Sequence, residues 1–141
     1  MVTTEGDQNL GGQDIDDKII EWIIEGIKQQ MDIDLHDFPR SKAVLREAAY
    51  KAKERLSIEL EVDIKIDLTR VVELADADLP QPSDQPTEFC TVLNRATFEE
   101  LCEDVWNRCL LPLMQALEHE DAEDLTKIVC VGGSSRIPRV Q

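Results

Sequence analysis

Aromatic residues make up only 4% of this 141-residue chain, so any core must be built from aliphatic side chains. Basic residues are scarce too: 15 Lys and Arg stand against 30 Asp and Glu, a formal charge of −15 at pH 7. Phosphate backbones need a basic patch and would be repelled by such a surface, which argues against nucleic acid as a direct ligand. The charge suits a basic or charge-complementary protein partner, or serves solubility alone. No apolar run approaches the ~18 residues of a membrane span. The opening Met1-Val-Thr-Thr-Glu5 lacks the basic-then-apolar layout of a signal peptide, so no membrane partner is expected. No Cys-x-x-Cys pair occurs among Cys90, Cys102, Cys109 and Cys130; three of them sit in apolar patterns as small hydrophobes, which fits a reduced, intracellular setting. His36 and His119 stand isolated among polar residues, and metal ligation by them is not expected. There is no Walker loop, no Gly-x-Gly-x-x-Gly fingerprint, and no Ser/His/Asp or Cys/His grouping for a hydrolase.

What is present is a clear order of periodicities. After a glycine-punctuated opening loop, Gly6 to Gly12, Asp14 is placed to cap a helix running to about Gln30. Ile20, Ile24, Ile27 and Met31 form its apolar stripe, widened by Ile19, Trp22 and Ile23, with Asp17, Lys18, Glu21, Glu25 and Lys28 opposite. Residues 31–39 read as a loop ending at Pro39. A second helix, Ser41 to Leu56, carries Leu45, Ala49, Ala52 and Leu56 on one side and Lys42, Arg46, Lys53 and Glu54 at polar positions. From Ile58 to Leu68 the period changes to two, predicting a half-buried antiparallel strand. Arg70 to Ala75 and Glu88 to Leu93 read as further strands, separated by an acidic loop with Pro80, Pro82 and Pro86. Thr97 and Glu100 form a capping box for a helix with Cys102, Val105, Trp106, Cys109, Leu113 and Leu117 on one side, kinked or split by Pro112. After an acidic link, Lys127 to Val131 reads as a buried strand. The fold class is α+β, helices packed on a small antiparallel sheet.

Two places suggest chemistry. Val131 runs into Gly132, Gly133, Ser134 and Ser135, a strand-to-helix turn in which residues without Cβ let a ligand approach and free N–H groups face an anion. Such turns also occur as plain structural corners. Arg136 would sit in the first helical turn, stacked on a flat base or simply solvated. At the end of the second helix, Lys53 and Ser57 stand one turn apart, where they could bracket a ribose and base, although such residues are also normal at helix C-termini.

Four ordered motifs cover nearly the whole chain. They are Gly6-Asp-Gln-Asn-Leu-Gly-Gly-Gln-Asp-Ile-Asp16, Ala52-Lys-Glu-Arg-Leu-Ser57, Arg95-Ala-Thr-Phe-Glu-Glu-Leu101 and Val131-Gly-Gly-Ser-Ser-Arg-Ile-Pro138. With them the chain resembles the seventy-kilodalton heat-shock chaperones, the DnaK-type family. The resemblance implies a piece of the second lobe of an actin-like ATPase domain, with residues 12–118 in its outer subdomain and 125–141 starting the inner one. It implies that Gly12 lines the nucleotide cleft, that Lys53 and Ser57 contact the adenosine, and that Gly132, Gly133 and Ser134 border the nucleotide. Arg136 would pack on the adenine, with Ile137 beside it.

This chain departs from the family pattern at two further cleft positions. Tyr50 stands where an acidic residue usually contacts the ribose, and Glu54 where many members carry Arg or an aliphatic residue beside the base. The stretch between Ser57 and Arg95 is also longer than usual. The family's phosphate-binding loops and catalytic lysine would precede Met1, so the expectation is an inactive segment of an ATPase. Its ATP or ADP would be completed, with Mg ion, by the rest of the parent. Expected partners are a nucleotide-exchange factor and, through the parent, a J-domain co-chaperone and unfolded polypeptide, in the cytoplasm or an organelle matrix. The alternatives are a stand-alone acidic interaction module and a complete small nucleotide-dependent enzyme.

Overall fold

The computed structural model describes residues 6–7, 10–31, 39–67, 88–119 and 127–141. Helix α1 spans Gly12–Met31. Asp14 is not its cap but its third residue: the Gly11 N–H donates to Asp14 Oδ2 at 2.7 Å. The carboxylate reaches back to a free backbone donor at the positive end of the helix, so the helix starts three residues earlier than the sequence suggests. Ile15, Ile19, Ile20, Ile23, Ile24 and Ile27 are all buried, which makes α1 the central aliphatic rod of the core.

Helix α2, Pro39–Leu56, packs against α1 through Leu45, Ala49, Ala52 and Leu56. Pro39 begins this helix instead of closing the loop before it, because a first helical residue has no intrahelical use for its N–H. Its polar positions are not all solvated: Lys53 is buried.

Strands β1, Glu61–Asp67, and β2, Glu88–Asn94, form an antiparallel pair in the register Glu61 to Asn94, Ile64 to Thr91 and Asp67 to Glu88. Val62, Ile64, Ile66, Phe89 and Leu93 point into the core. Ile58 and Leu60 continue the alternation in sequence but lie outside the strand, 87% and 73% exposed. The turn that ends α2 uses the backbone here: Ile58 and Glu59 N–H both donate to the Arg55 carbonyl, at 3.0 and 2.7 Å. Donors spent on orphan helix carbonyls cannot join a ladder. Arg95 then clamps the same turn, donating from Nε to the Leu56 carbonyl and from Nη2 to the Glu59 carbonyl, each at 3.0 Å. Leu68, the expected strand at 70–75 and the acidic loop at 76–86 lie outside the described residues.

Helix α3, Arg95–Leu101, is capped by Asn94, whose Oδ1 accepts the Thr97 N–H at 2.7 Å. Thr97 therefore holds the third helical position and not the cap. Helix α4, Glu103–His119, runs through Pro112 without a break; the division comes earlier, at Cys102. In an unbroken helix the Glu99 carbonyl would accept the Glu103 N–H. It accepts the Trp106 indole N–H instead, at 3.0 Å, and Trp106 meets Phe98 edge to face at 5.9 Å. Of the apolar side expected on this helix, Cys102, Val105 and Trp106 are buried, Leu117 is half-buried, and Cys109 and Leu113 are exposed.

Residues 127–131 form no strand; Ile128, Val129 and Val131 are exposed. Among the described residues no strand lies beside them, so neither the pairing nor the burial that an apolar strand needs is supplied. Cys102 is buried, while Cys90, Cys109 and Cys130 are exposed, so the small-hydrophobe reading fits one cysteine alone. The architecture is α+β, with helices on a two-stranded antiparallel sheet and one core along α1.

Candidate functional site

The glycine turn is built from its backbone upward. Gly132 has φ of 97°, a conformation costly for any residue with a Cβ. It leads into a single 3-10 turn, Gly133–Arg136. No side chain caps this turn: the Ser135 hydroxyl folds back onto the Gly132 carbonyl at 2.6 Å, so the serine-capped helix expected here is replaced by one tight turn ending at Arg136. Ile137 follows, buried in the core, and anchors the turn against the body of the domain.

That anchoring sets the turn opposite the end of α2. Between them lies a cleft of about 550 Å³ with Tyr50, Lys53, Glu54 and Ser57 on one wall and Gly133, Ser134, Arg136 and Ile137 on the other. Eight of the sequence-predicted residues thus line one space. Gly12 adjoins it at the base, where its carbonyl accepts a hydrogen bond from Lys53 Nζ at 3.3 Å. A Cβ on Gly12 would stand 3.0 Å from Ser134 Oγ, so any larger residue there would have to push that hydroxyl aside. Gly132 does not line the cleft; it turns the backbone into it. Arg55 and Ile58 complete the lining and were not singled out in the sequence.

The charges are mostly committed. Lys53 Nζ lies 2.7 Å from Asp16 Oδ1 and 5.2 Å from the Tyr50 ring centroid. Asp16 Oδ1 is buried and accepts no aligned hydrogen bond, so this is a charge contact without a directional bond. Glu54, through a hydrogen bond and then its charge, pushes the Tyr50 phenol pKa up. Arg55 pairs with Glu59 at 2.8 Å. Arg136 makes no ion pair among the described residues and stays exposed. Asp16 is the residue that motif reading left without a role. The available signal was its place on the buried face of α1, one turn from Gly12, Ile19 and Ile20, where an acid demands a cation. A further tie, from Arg108 Nη2 to Asp7 Oδ2 at 2.8 Å, joins α4 to the segment before α1.

Known proteins have similar sequences. The Hsp70 protein family matches residues 1–141, the whole chain. A chaperone protein dnaK of Cyanidium caldarium is 36% identical over 143 aligned residues, and one of Cyanidioschyzon merolae is 40% identical. The chaperone protein DnaK of Thermotoga maritima is 34% identical. Each alignment covers 100% of this chain and 22% of the relative, so the chain spans under a quarter of their length. The α+β architecture and the match along the full sequence agree: the chain belongs to the Hsp70 family.

Proposed function

We propose that this chain is a segment of the ATP-binding domain of a molecular chaperone, carrying the adenosine side of the nucleotide cleft. Residues 12–118 would form the outer subdomain of the second lobe and residues 125–141 the start of the inner one. The observation that supports this reading most is the meeting of the α2 terminus with the Gly132–Ile137 turn across one cleft, with Gly12 at its base.

The chemistry assigned to the cleft is recognition. The Lys53 ammonium donates to the sugar and base, and the Ser57 hydroxyl donates to or accepts from them. Gly133 and Ser134 let the nucleotide lie against backbone. Arg136, without an ion pair among the described residues, lays its planar guanidinium on the adenine, with Ile137 beside it. Tyr50 and Glu54 engage each other at the cleft's edge, so the ribose contact of an acidic residue is replaced by a phenol–carboxylate pair. Asp16 and Glu54 are committed to Lys53 and Tyr50, so the cleft residues described do not fit a Mg ion. Phosphoryl transfer relies on positioning and charge at the phosphates, and the stretches of the relatives beyond the match would supply both.

In the whole protein, ATP binding and hydrolysis would be coupled to binding and release of unfolded polypeptide, with a J-domain co-chaperone and an exchange factor as partners. The outer subdomain would present the exchange-factor surface. Calorimetry with ATP on this chain should show binding weaker than micromolar and no turnover. Micromolar binding would mean that the cleft holds more than the adenosine side.

A further inference from the structure

Lys53 is held from three directions. Asp16 Oδ1 lies 2.7 Å from its ammonium, the Gly12 carbonyl accepts one N–H at 3.3 Å, and the Tyr50 ring stands 5.2 Å away. Both charged side chains are only 11% exposed. A buried ammonium beside a buried carboxylate is electrically compensated, and the hydrogen bond to the Gly12 carbonyl together with the Asp16 charge restricts where its other N–H groups point. Arg136, across the cleft, has no such compensation among the described residues.

We propose that Asp16 is a positioning and specificity residue of the cleft: it cancels the charge of Lys53 and turns it into a donor for an uncharged acceptor, a sugar hydroxyl or ring nitrogen, instead of an anion site. The inference rests on the adenosine reading of the cleft and adds what that reading lacks, a reason for the wall to prefer the nucleoside over the phosphate end of its ligand. An acid at this place costs burial and, among the described residues, is compensated through Lys53. Its effect on binding therefore passes through Lys53 and disappears when Lys53 is gone.

The test is titration of the chain with adenosine and with adenosine monophosphate, followed by NMR at cleft resonances. The wild type, Asp16→Asn, Asp16→Glu, Lys53→Met and the Asp16→Asn/Lys53→Met pair are compared, with circular dichroism as the check on folding. Asp16→Asn should weaken adenosine by about tenfold, the scale of one charge-assisted hydrogen bond. It should weaken the monophosphate less, so that the ratio of the two affinities shifts toward the anion. Asp16→Glu should restore both. A merely loosened fold would weaken the two ligands equally, and that result, or no change, overturns the proposal. Where Asp16→Asn alone unfolds the chain, the double variant decides: it should bind adenosine as Lys53→Met does, and a further loss shows Asp16 acting on its own and overturns the proposal. A wild type with no cleft response to either ligand overturns the adenosine reading and this inference together; a response that survives Asp16→Asn unchanged overturns the inference alone.

Discussion

Gly12 and Ser134, near opposite ends of the sequence, approach so closely that a Cβ on Gly12 would stand 3.0 Å from Ser134 Oγ and 3.4 Å from Lys53 Nζ. This contact closes the base of the cleft, and it is the reason the first turn of α1 belongs to the site. Gly12→Ala separates stability from function. Alanine gains at most the roughly 0.5–1 kcal/mol of a helix interior at this first position, and the hydroxyl and ammonium it meets are side-chain ends that need give by only a few tenths of an ångström. Denaturant midpoints should therefore stay close to wild type. Amide resonances of residues 53 and 134 should move, and binding at the cleft should weaken.

The start of α3 offers a sharp comparison between sequence reading and structure. Asn94→Ala removes the oxygen that accepts the Thr97 N–H at 2.7 Å and should cost about 1 kcal/mol in urea unfolding. Thr97→Ala should cost clearly less, because its hydroxyl is not the cap. The reverse ranking would return the cap to Thr97.

What could be read in the sequence was the part governed by local periodicity. The isoleucines of α1, the alanine stripe of α2 and the inward Val62, Ile64 and Ile66 all follow side-chain direction along a helix or strand. The misses have tertiary causes. Ile58 and Leu60 keep a strand's alternation, but their backbone serves the end of α2 and the Arg95 clamp. Residues 127–131 look like a core strand, yet burial depends on a neighbour that no local pattern reveals. The residues that line the cleft were legible through the family resemblance that their contiguous motifs carry; the Asp16–Lys53 contact was not, since nothing local pairs one helix's acid with another's lysine.

Alkaline titration should expose the buried thiol. Burial pushes Cys102 up from an ordinary 9.0 to about 12, with the nearby Asp104 carboxylate adding to it. Burial likewise raises Cys109. A group whose pKa is raised by folding stabilises fully below its unfolded value and loses that contribution as pH rises through its folded value. Stability should thus fall progressively between 9.0 and about 12. Cys102→Ala should flatten this part of the profile when urea midpoints are compared across the range. A thiol reagent at mildly alkaline pH should modify Cys90 and Cys130 well before Cys102.

The central claim is that the α2 terminus and the glycine turn form one adenosine-binding wall. Residue-by-residue NMR during an adenosine titration of the chain tests it most directly. The account predicts saturable shifts concentrated at residues 53–58 and 133–137 and near Gly12, with β1 and β2 unmoved. Saturable shifts centred on the sheet, or none at the cleft at millimolar adenosine, would contradict it.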